Sequence, residues 1–184
     1  MTIPNIHTFT RILLTPLLMW FLVRRRLNEA LLVFFIAGMT DGLDGLIARL
    51  FHQKSKIGAI LDPLADKFLL VSSFLILGYL TLIPWWLVGV AVGRDVVIVL
   101  GTTVLFVLGF RVEVLPTVLG KLTTLTQLLS VLLALSSSLL SLPPWNHQLV
   151  FVITAALSAA SGVQYVRKGI FAVQAQLSDN SAKR

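Results

Sequence analysis

The chain has 184 residues, of which 57% are hydrophobic and only 12% charged, with a mean hydropathy of +0.91. Soluble domains carry roughly 25% charged residues, so this composition excludes an ordinary water-soluble globule and leaves most side chains facing lipid or one another. The net charge of +7 sits on basic residues between apolar runs, which points to anionic lipid headgroups or phosphorylated substrates and away from nucleic acid. The absence of cysteine excludes a disulfide framework and a thiolate metal site.

In chain order, six apolar runs approach the ~20 residues needed to cross a ~30 Å hydrocarbon layer: about 7–24, 29–50, 57–81, 86–109, 117–141 and 147–168. The first of them (Ile12 to Val23 at its core) reads as a span and not as a cleaved signal peptide, because no A-x-A-like site follows it. The breaks carry charge or turn signals: Arg24–Arg25–Arg26, Gln53 to Lys56, Pro84–Trp85–Trp86, Arg111 to Pro116, and Pro143–Pro144. Spans that must satisfy their own backbone are helical, and short connections make neighbours antiparallel. The expectation is an all-α integral membrane protein: a single domain over 1–184, a bundle of about six transmembrane helices, and a partly disordered tail from about 170.

A cytoplasmic N-terminus collects Arg49, Lys54, Lys56, Arg111, Lys121, Arg167, Lys168, Lys183 and Arg184 on the cytoplasmic side. It also sends Trp20, Trp85, Trp86 and Trp145 to the opposite interface. The run Arg24–Arg25–Arg26 contradicts this orientation, but one loop does not outweigh the rest. We therefore expect a multi-pass protein of a bacterial inner membrane.

Of the eight acidic residues, four lie between positions 41 and 66. An ionised carboxylate in an apolar helix costs a few kcal/mol or more unless it is paired. Asp41, Asp44, Gly45, Ala48 and Arg49 follow one helical stripe, and Gly58, Asp62 and Asp66 follow another. Across an antiparallel pair the two stripes bring four carboxylates together near the cytoplasmic ends of the second and third helices. Four like charges require divalent cations, and an all-oxygen donor set favours Mg²⁺, then Mn²⁺ or Ca²⁺. Glycine and alanine beside the acids leave room for a bulky ligand, which suggests a pyrophosphate-containing substrate.

These eight positions match, without departure, the signature D-x2-D-G-x2-A-R-x8-G-x3-D-x3-D, and the chain resembles the CDP-alcohol phosphatidyltransferases. At residue frequencies of about 5–10%, a chance match in one register has odds of roughly one in 10⁹. The N-terminal pattern of Pro4, Asn5, Thr8 and Arg11 belongs to the same resemblance. It implies that Asp41, Asp44, Asp62 and Asp66 hold two Mg²⁺ ions, with Mn²⁺ as a substitute, and that Asp66 is also the general base. It implies further that Gly45, Ala48, Arg49, Gly58, Asn5, Thr8 and Arg11 bind CDP-diacylglycerol. The reaction implied is transfer of the phosphatidyl group to an alcohol with release of CMP, at a site facing the cytoplasm.

The opening Ile3-Pro4-Asn5 and the block Leu61 to Lys67 resemble the branch that makes anionic glycerophospholipids, with a glycerol-type acceptor. Phosphatidylglycerophosphate synthases usually carry R-E-x3-(S/T)-(G/A)-L-R in the fourth span. Here Gly93-Arg94-Asp95-Val96 lacks the second arginine and is more similar to CMP-forming cardiolipin synthases. The expected acceptor is phosphatidylglycerol, giving cardiolipin; the alternative is glycerol-3-phosphate, giving phosphatidylglycerophosphate. Arg94, Arg111 and Lys121 are the acceptor-binding candidates, although Arg94 and Asp95 also suit mutual neutralisation, and Arg111 and Lys121 suit interfacial anchoring.

Gly38 and Gly42, spaced G-x3-G, suit helix packing or contact with a second copy, and a homodimer is expected. His7, His52 and His147 have no second ligand at a useful spacing and read as polar interfacial residues. Two rivals remain: a proton or divalent-cation transporter using the carboxylates as a relay, and an inactive homologue serving as an assembly partner. Acids paired with glycines near one interface, not at the midplane, argue against the transporter.

Overall fold

The computed structural model describes the backbone of residues 3–51, 58–109, 117–137, 139 and 144–182; side chains are described for these except 3–12, 41–51, 58–64, 106, 144, 175 and 177–182. The chain forms α1 (Ile3–Val23), α2 (Leu27–Phe51), α3 (Gly58–Tyr79), α4 (Trp85–Val107), α5 (Val118–Ser136) and α6 (Pro144–Ala182). No strand occurs among the described residues, and the all-α class stands. Each helix covers one of the six apolar runs to within a few residues, except that α6 carries on well past 168 to Ala182.

Among the described residues, three helices are long and apolar enough to cross a membrane: Trp85–Leu105, Val118–Ser136 and Trp145–Gln174. At 1.5 Å per residue the 39 residues of α6 reach roughly 58 Å, about twice a hydrocarbon layer. Its C-terminal part therefore continues beyond the apolar stretch.

The chain packs as two compact units, Met1–Pro84 with Leu128–His147, and Trp85–Gln127 with Gln148–Arg184. In the first unit α1 packs against both α2 and α3. The contacting stripes are legible in the spacing: Leu18 and Leu22 on α1, Ala30, Val33, Phe34 and Ala37 on α2, and Leu70, Phe74 and Leu77 on α3 are all buried. These are i, i+3, i+4 and i+7 positions of helical faces. Phe35, Met39, Phe68 and Leu75 lie on the opposite faces and are exposed. Lipid tails are as apolar as leucine, so such a core gains its stability from close packing and not from escape from water.

The ends of α1 and α3 share one device. Arg25 N–H bonds to Leu22 O at 2.9 Å and Arg26 N–H to Phe21 O at 2.9 Å; Thr81 N–H bonds to Gly78 O at 3.0 Å and Leu82 N–H to Leu77 O at 2.9 Å. These paired bonds form Schellman motifs, which need a left-handed residue after the helix. Arg25 (φ 56°) and Thr81 (φ 62°) adopt that conformation although neither is glycine, whereas Gly109 (φ 82°) supplies it after α4. The arginine run has local partners on either side of Arg25. The Arg24 guanidinium lies 5.8 Å from the centre of the Trp20 ring, and Arg26 pairs with Glu29 at 3.4 Å. The run that conflicts with the charge rule is thus held by contacts within its own turn.

In the second unit, hydroxyl groups tie α5 to α6. Thr123 Oγ1 shares its proton between Leu119 O of its own helix at 2.8 Å and Leu157 O of α6 at 3.1 Å, and Thr154 Oγ1 donates to Thr126 O at 3.1 Å, so residue numbers rise on one helix as they fall on the other. Helices α5 and α6 are therefore antiparallel. A Cβ at Gly162 would lie 3.5 Å from Arg94 Cγ, and one at Gly169 3.5 Å from Leu105 Cδ1. Numbers rise together here, so α4 and α6 run parallel.

Relieving the strain after α3 tests this description of the helix ends. Thr81→Gly is expected to stabilise the protein by about 0.5–1 kcal/mol, the left-handed penalty of a side chain less the extra freedom of glycine in the unfolded chain. The midpoint of denaturation in detergent should rise accordingly.

Candidate functional site

The acidic signature falls on two helices that share α1 as a packing partner. Asp41, Asp44, Gly45, Ala48 and Arg49 lie in the C-terminal half of α2, and Gly58, Asp62 and Asp66 in the N-terminal half of α3. The helical register over the motif is as expected, and residues 52–57 between the two segments lie outside the described residues. The side chains of Asp41, Asp44, Arg49 and Asp62 also lie outside them; Asp66 is described and is half-buried, as is Lys67.

The turn at Arg24–Arg26 adds a relation that spacing within the motif does not contain. Helices α1 and α2 form a packed hairpin about this turn. Asn5 and Gly45 are equally far along the chain from Arg25, and so are Thr8 and Gly42. At equal rise per residue, the N-terminal turns of α1 lie level with the acidic segment of α2. The backbone therefore brings Asn5, Thr8 and Arg11 to the motif's end of the hairpin; their side chains lie outside the described residues.

Of the three acceptor-binding candidates, Arg111 lies outside the described residues, Lys121 is exposed on the first turns of α5, and Arg94 is buried at 8% exposure. The Arg94 guanidinium donates from Nη1 to Asp95 Oδ1 at 2.6 Å and from Nη2 to Ser161 Oγ at 2.8 Å. Its carbon lies 5.7 Å from the centre of the Tyr165 ring. Asp95 is equally buried, at 6% exposure, so the pair is withdrawn from water and lipid alike. Arg94 Nε has no acceptor among the described residues.

The surroundings of this pair explain several small residues. Thr117 caps α5, its Oγ1 accepting the Gly120 N–H at 3.0 Å. A Cβ at Gly120 would come within 3.3 Å of Arg94 Nη2 and 3.4 Å of Tyr165 Oη. Glycine there lets a guanidinium approach the first turn of α5. That turn carries the positive end of the helix dipole, so the approach sets two positive potentials side by side, and Asp95 is the neighbouring compensation. Ser161, Tyr165, Gly120 and Gly162 were not singled out from the sequence. Their signal was the recurrence of small polar residues (Thr154, Ser158 and Ser161) along a helix otherwise suited to face lipid.

Removing one member of a buried pair leaves the other uncompensated, at a cost of about 3 kcal/mol or more. Arg94→Leu is therefore expected to lower the denaturation midpoint sharply. The double variant Arg94→Leu/Asp95→Leu should recover most of that loss, because neither charge then remains.

Residues 1–163 match the profile of the CDP-alcohol phosphatidyltransferases. Proteins named cardiolipin synthase (CMP-forming) from Rattus norvegicus and Homo sapiens are each 34% identical to the chain over 94% of its length. The chain spans 63% of the length of these two relatives. A CDP-diacylglycerol–glycerol-3-phosphate 3-phosphatidyltransferase of Aquifex aeolicus is 33% identical over 92% of this chain and 96% of its own. Together with the three apolar helices, these relationships make the chain a membrane protein. It belongs to the CDP-alcohol phosphatidyltransferase family.

Proposed function

We propose that the chain transfers the phosphatidyl group of CDP-diacylglycerol to a glycerol-type alcohol and releases CMP, within anionic phospholipid synthesis. The observation that carries this reading is the complete eight-position signature lying on α2 and α3, both packed on α1. Asp41, Asp44, Asp62 and Asp66 are the groups that would hold Mg²⁺, two ions in all, with Mn²⁺ as the substitute. Their chemistry fits: the donors are all carboxylates, and the chain has no cysteine to offer a softer site. Bound there, the cations supply charge neutralisation at the transferring phosphoryl group.

The chain's own residues then divide the work. Gly45, Ala48 and Gly58 leave room for the cytidine nucleotide, and Arg49, Asn5, Thr8 and Arg11 bind the donor around it. Asp66 takes the proton from the acceptor hydroxyl. The acceptor oxygen bonds to the phosphorus on the diacylglycerol side, the bond from that phosphorus to the bridging oxygen breaks, and CMP leaves with the bridging oxygen. Arg94, Arg111 and Lys121 bind the acceptor phosphate. Arg94 suits that role because its Nε lacks an acceptor among the described residues and its guanidinium adjoins the first turn of α5, a position that attracts anions.

Phosphatidylglycerol is the acceptor we favour, giving cardiolipin, on the strength of Gly93-Arg94-Asp95-Val96 and of the rat and human relatives' names. Glycerol-3-phosphate is the alternative, which the Aquifex relative's name carries. In this reading all six helices span a bacterial inner membrane, and the site opens to the cytoplasm. The chain acts as a homodimer; Gly38 is exposed with nothing within 4 Å of a Cβ, which leaves its α2 face open to a second copy.

Purified protein given CDP-diacylglycerol, Mg²⁺ and one acceptor at a time should release CMP with phosphatidylglycerol. Release only with glycerol-3-phosphate would defeat the cardiolipin assignment, and release only with serine or inositol phosphate would defeat the glycerophospholipid branch. Chelation should stop turnover and added Mg²⁺ restore it. Asp66→Asn should lower CMP release by at least about 10²-fold while the helical spectrum and elution volume stay unchanged. Full activity in that variant would remove Asp66 from the base role, and cation flux into proteoliposomes without nucleotide would favour a transporter.

A further inference from the structure

Helices α4 and α6 enclose an open groove of about 510 Å³, within the roughly 300–1,000 Å³ typical of ligand sites. It occupies residues 97–105 of α4 and 165–174 of α6. Because the two helices run parallel, these are corresponding stretches toward the C-terminal ends of the apolar windows Trp85–Leu105 and Trp145–Gln174. Two glycines shape it. At Gly169 the helices close on each other, a Cβ there lying 3.5 Å from Leu105, whereas at Gly101 a Cβ would meet nothing within 4 Å.

The α4 wall demands little hydrogen bonding, and the polar side chains in the lining from α6 are Tyr165, Lys168 and Gln174. Thr102 turns its hydroxyl back onto Ile98 O at 2.8 Å, and the other α4 positions in the lining are apolar. A concavity with such walls, on stretches that fall within two apolar windows, meets acyl chains as its solvent. Two features set it apart from a generic lipid contact. Lys168 lines it, and no carboxylate does, so its one charge is complementary to an anionic headgroup and a long lysine can reach the interface. Tyr165 forms part of its wall and also carries Arg94 over its ring, which makes the groove contiguous with the cation assigned above to the acceptor phosphate.

We infer that this groove seats an acyl chain of the anionic phospholipid that accepts the phosphatidyl group; the inference rests on the transferase reading above. Phosphatidylglycerol then binds by its chain along Gly101 and Gly169, with Lys168 beside its phosphate. The groove gives the protein a reason to take a lipid acceptor in place of a soluble one.

Gly101→Phe fills the groove at a position where the added Cβ meets no neighbour, and Gly89→Phe, also open and on α4 outside the groove, controls for the substitution itself. With full-length protein in mixed micelles, Gly101→Phe should raise the apparent KM for phosphatidylglycerol at least about tenfold, the scale set by lost methylene contacts in an apolar pocket. The KM for CDP-diacylglycerol should be unchanged, and Gly89→Phe should behave as the wild type. Phosphatidylglycerol with a photoreactive group in its chain should label residues 97–105 and 165–174, and unlabelled phosphatidylglycerol should compete better than phosphatidylcholine. Lys168→Gln should remove that preference. Equal competition by both lipids, labelling confined to other helices, or a change in the KM of the donor alone would overturn the inference. Loss of the acceptor reading itself is seen separately, in wild-type protein that turns over glycerol-3-phosphate and not phosphatidylglycerol.

Discussion

The Arg94 guanidinium donates to Asp95 at 2.6 Å and to Ser161 at 2.8 Å while both charged residues are buried, and the second unit is arranged around that need. A charge inside hydrocarbon must be neutralised where it stands, since neither water nor a lipid chain will do it. Gly120 and Gly162 remove the side chains that would hold α5 and α6 away from the arginine. Ser161 supplies an acceptor and Tyr165 an aromatic face. Once α4 and α6 are brought together along this line, the groove beyond Tyr165 follows from the next pair of glycines.

The same constraint reads differently in the first unit. There the concentrated charge is negative, and nothing among the described residues assembles three or more acidic or histidine ligands into a cluster; Asp41, Asp44 and Asp62 belong to the side chains outside that description. The backbone contributes the scaffold: a packed α1–α2 hairpin, α3 packed on α1 as well, and helical backbone over 41–51 and 58–66. Carboxylates so placed call for cations, and the proposed Mg²⁺ site answers that demand with the donor chemistry the chain possesses.

Polar contacts inside an apolar bundle also serve as glue. Thr154 donates to a carbonyl of the facing helix, and Thr123 shares its proton between such a carbonyl and one of its own helix; the lipid offers no competitor for these bonds, though they are individually modest. Strain is placed at the helix ends, where Arg25 and Thr81 take a conformation better suited to glycine. The paired backbone bonds of each Schellman turn offset that cost, and the arginines flanking Arg25 engage Trp20 and Glu29.

Much of the fold was legible in the chain itself. Six apolar runs punctuated by arginine, proline and glycine mark six helices, because hydrocarbon forces each backbone to satisfy its own hydrogen bonds. The spacing of Asp41, Asp44, Asp62 and Asp66 marks a shared chemistry, because a helix repeats every 3.6 residues. What periodicity leaves open is which helix meets which, and in what register. The Ser161 and Tyr165 partners of Arg94, the level of Asn5 and Thr8 beside the acidic segment, and the groove at Gly101 all depend on contacts between residues far apart in sequence. Those were decided by packing: small residues set how closely two helices approach, and that distance, not the hydropathy of either helix alone, determines where a charge is answered and where a cavity remains.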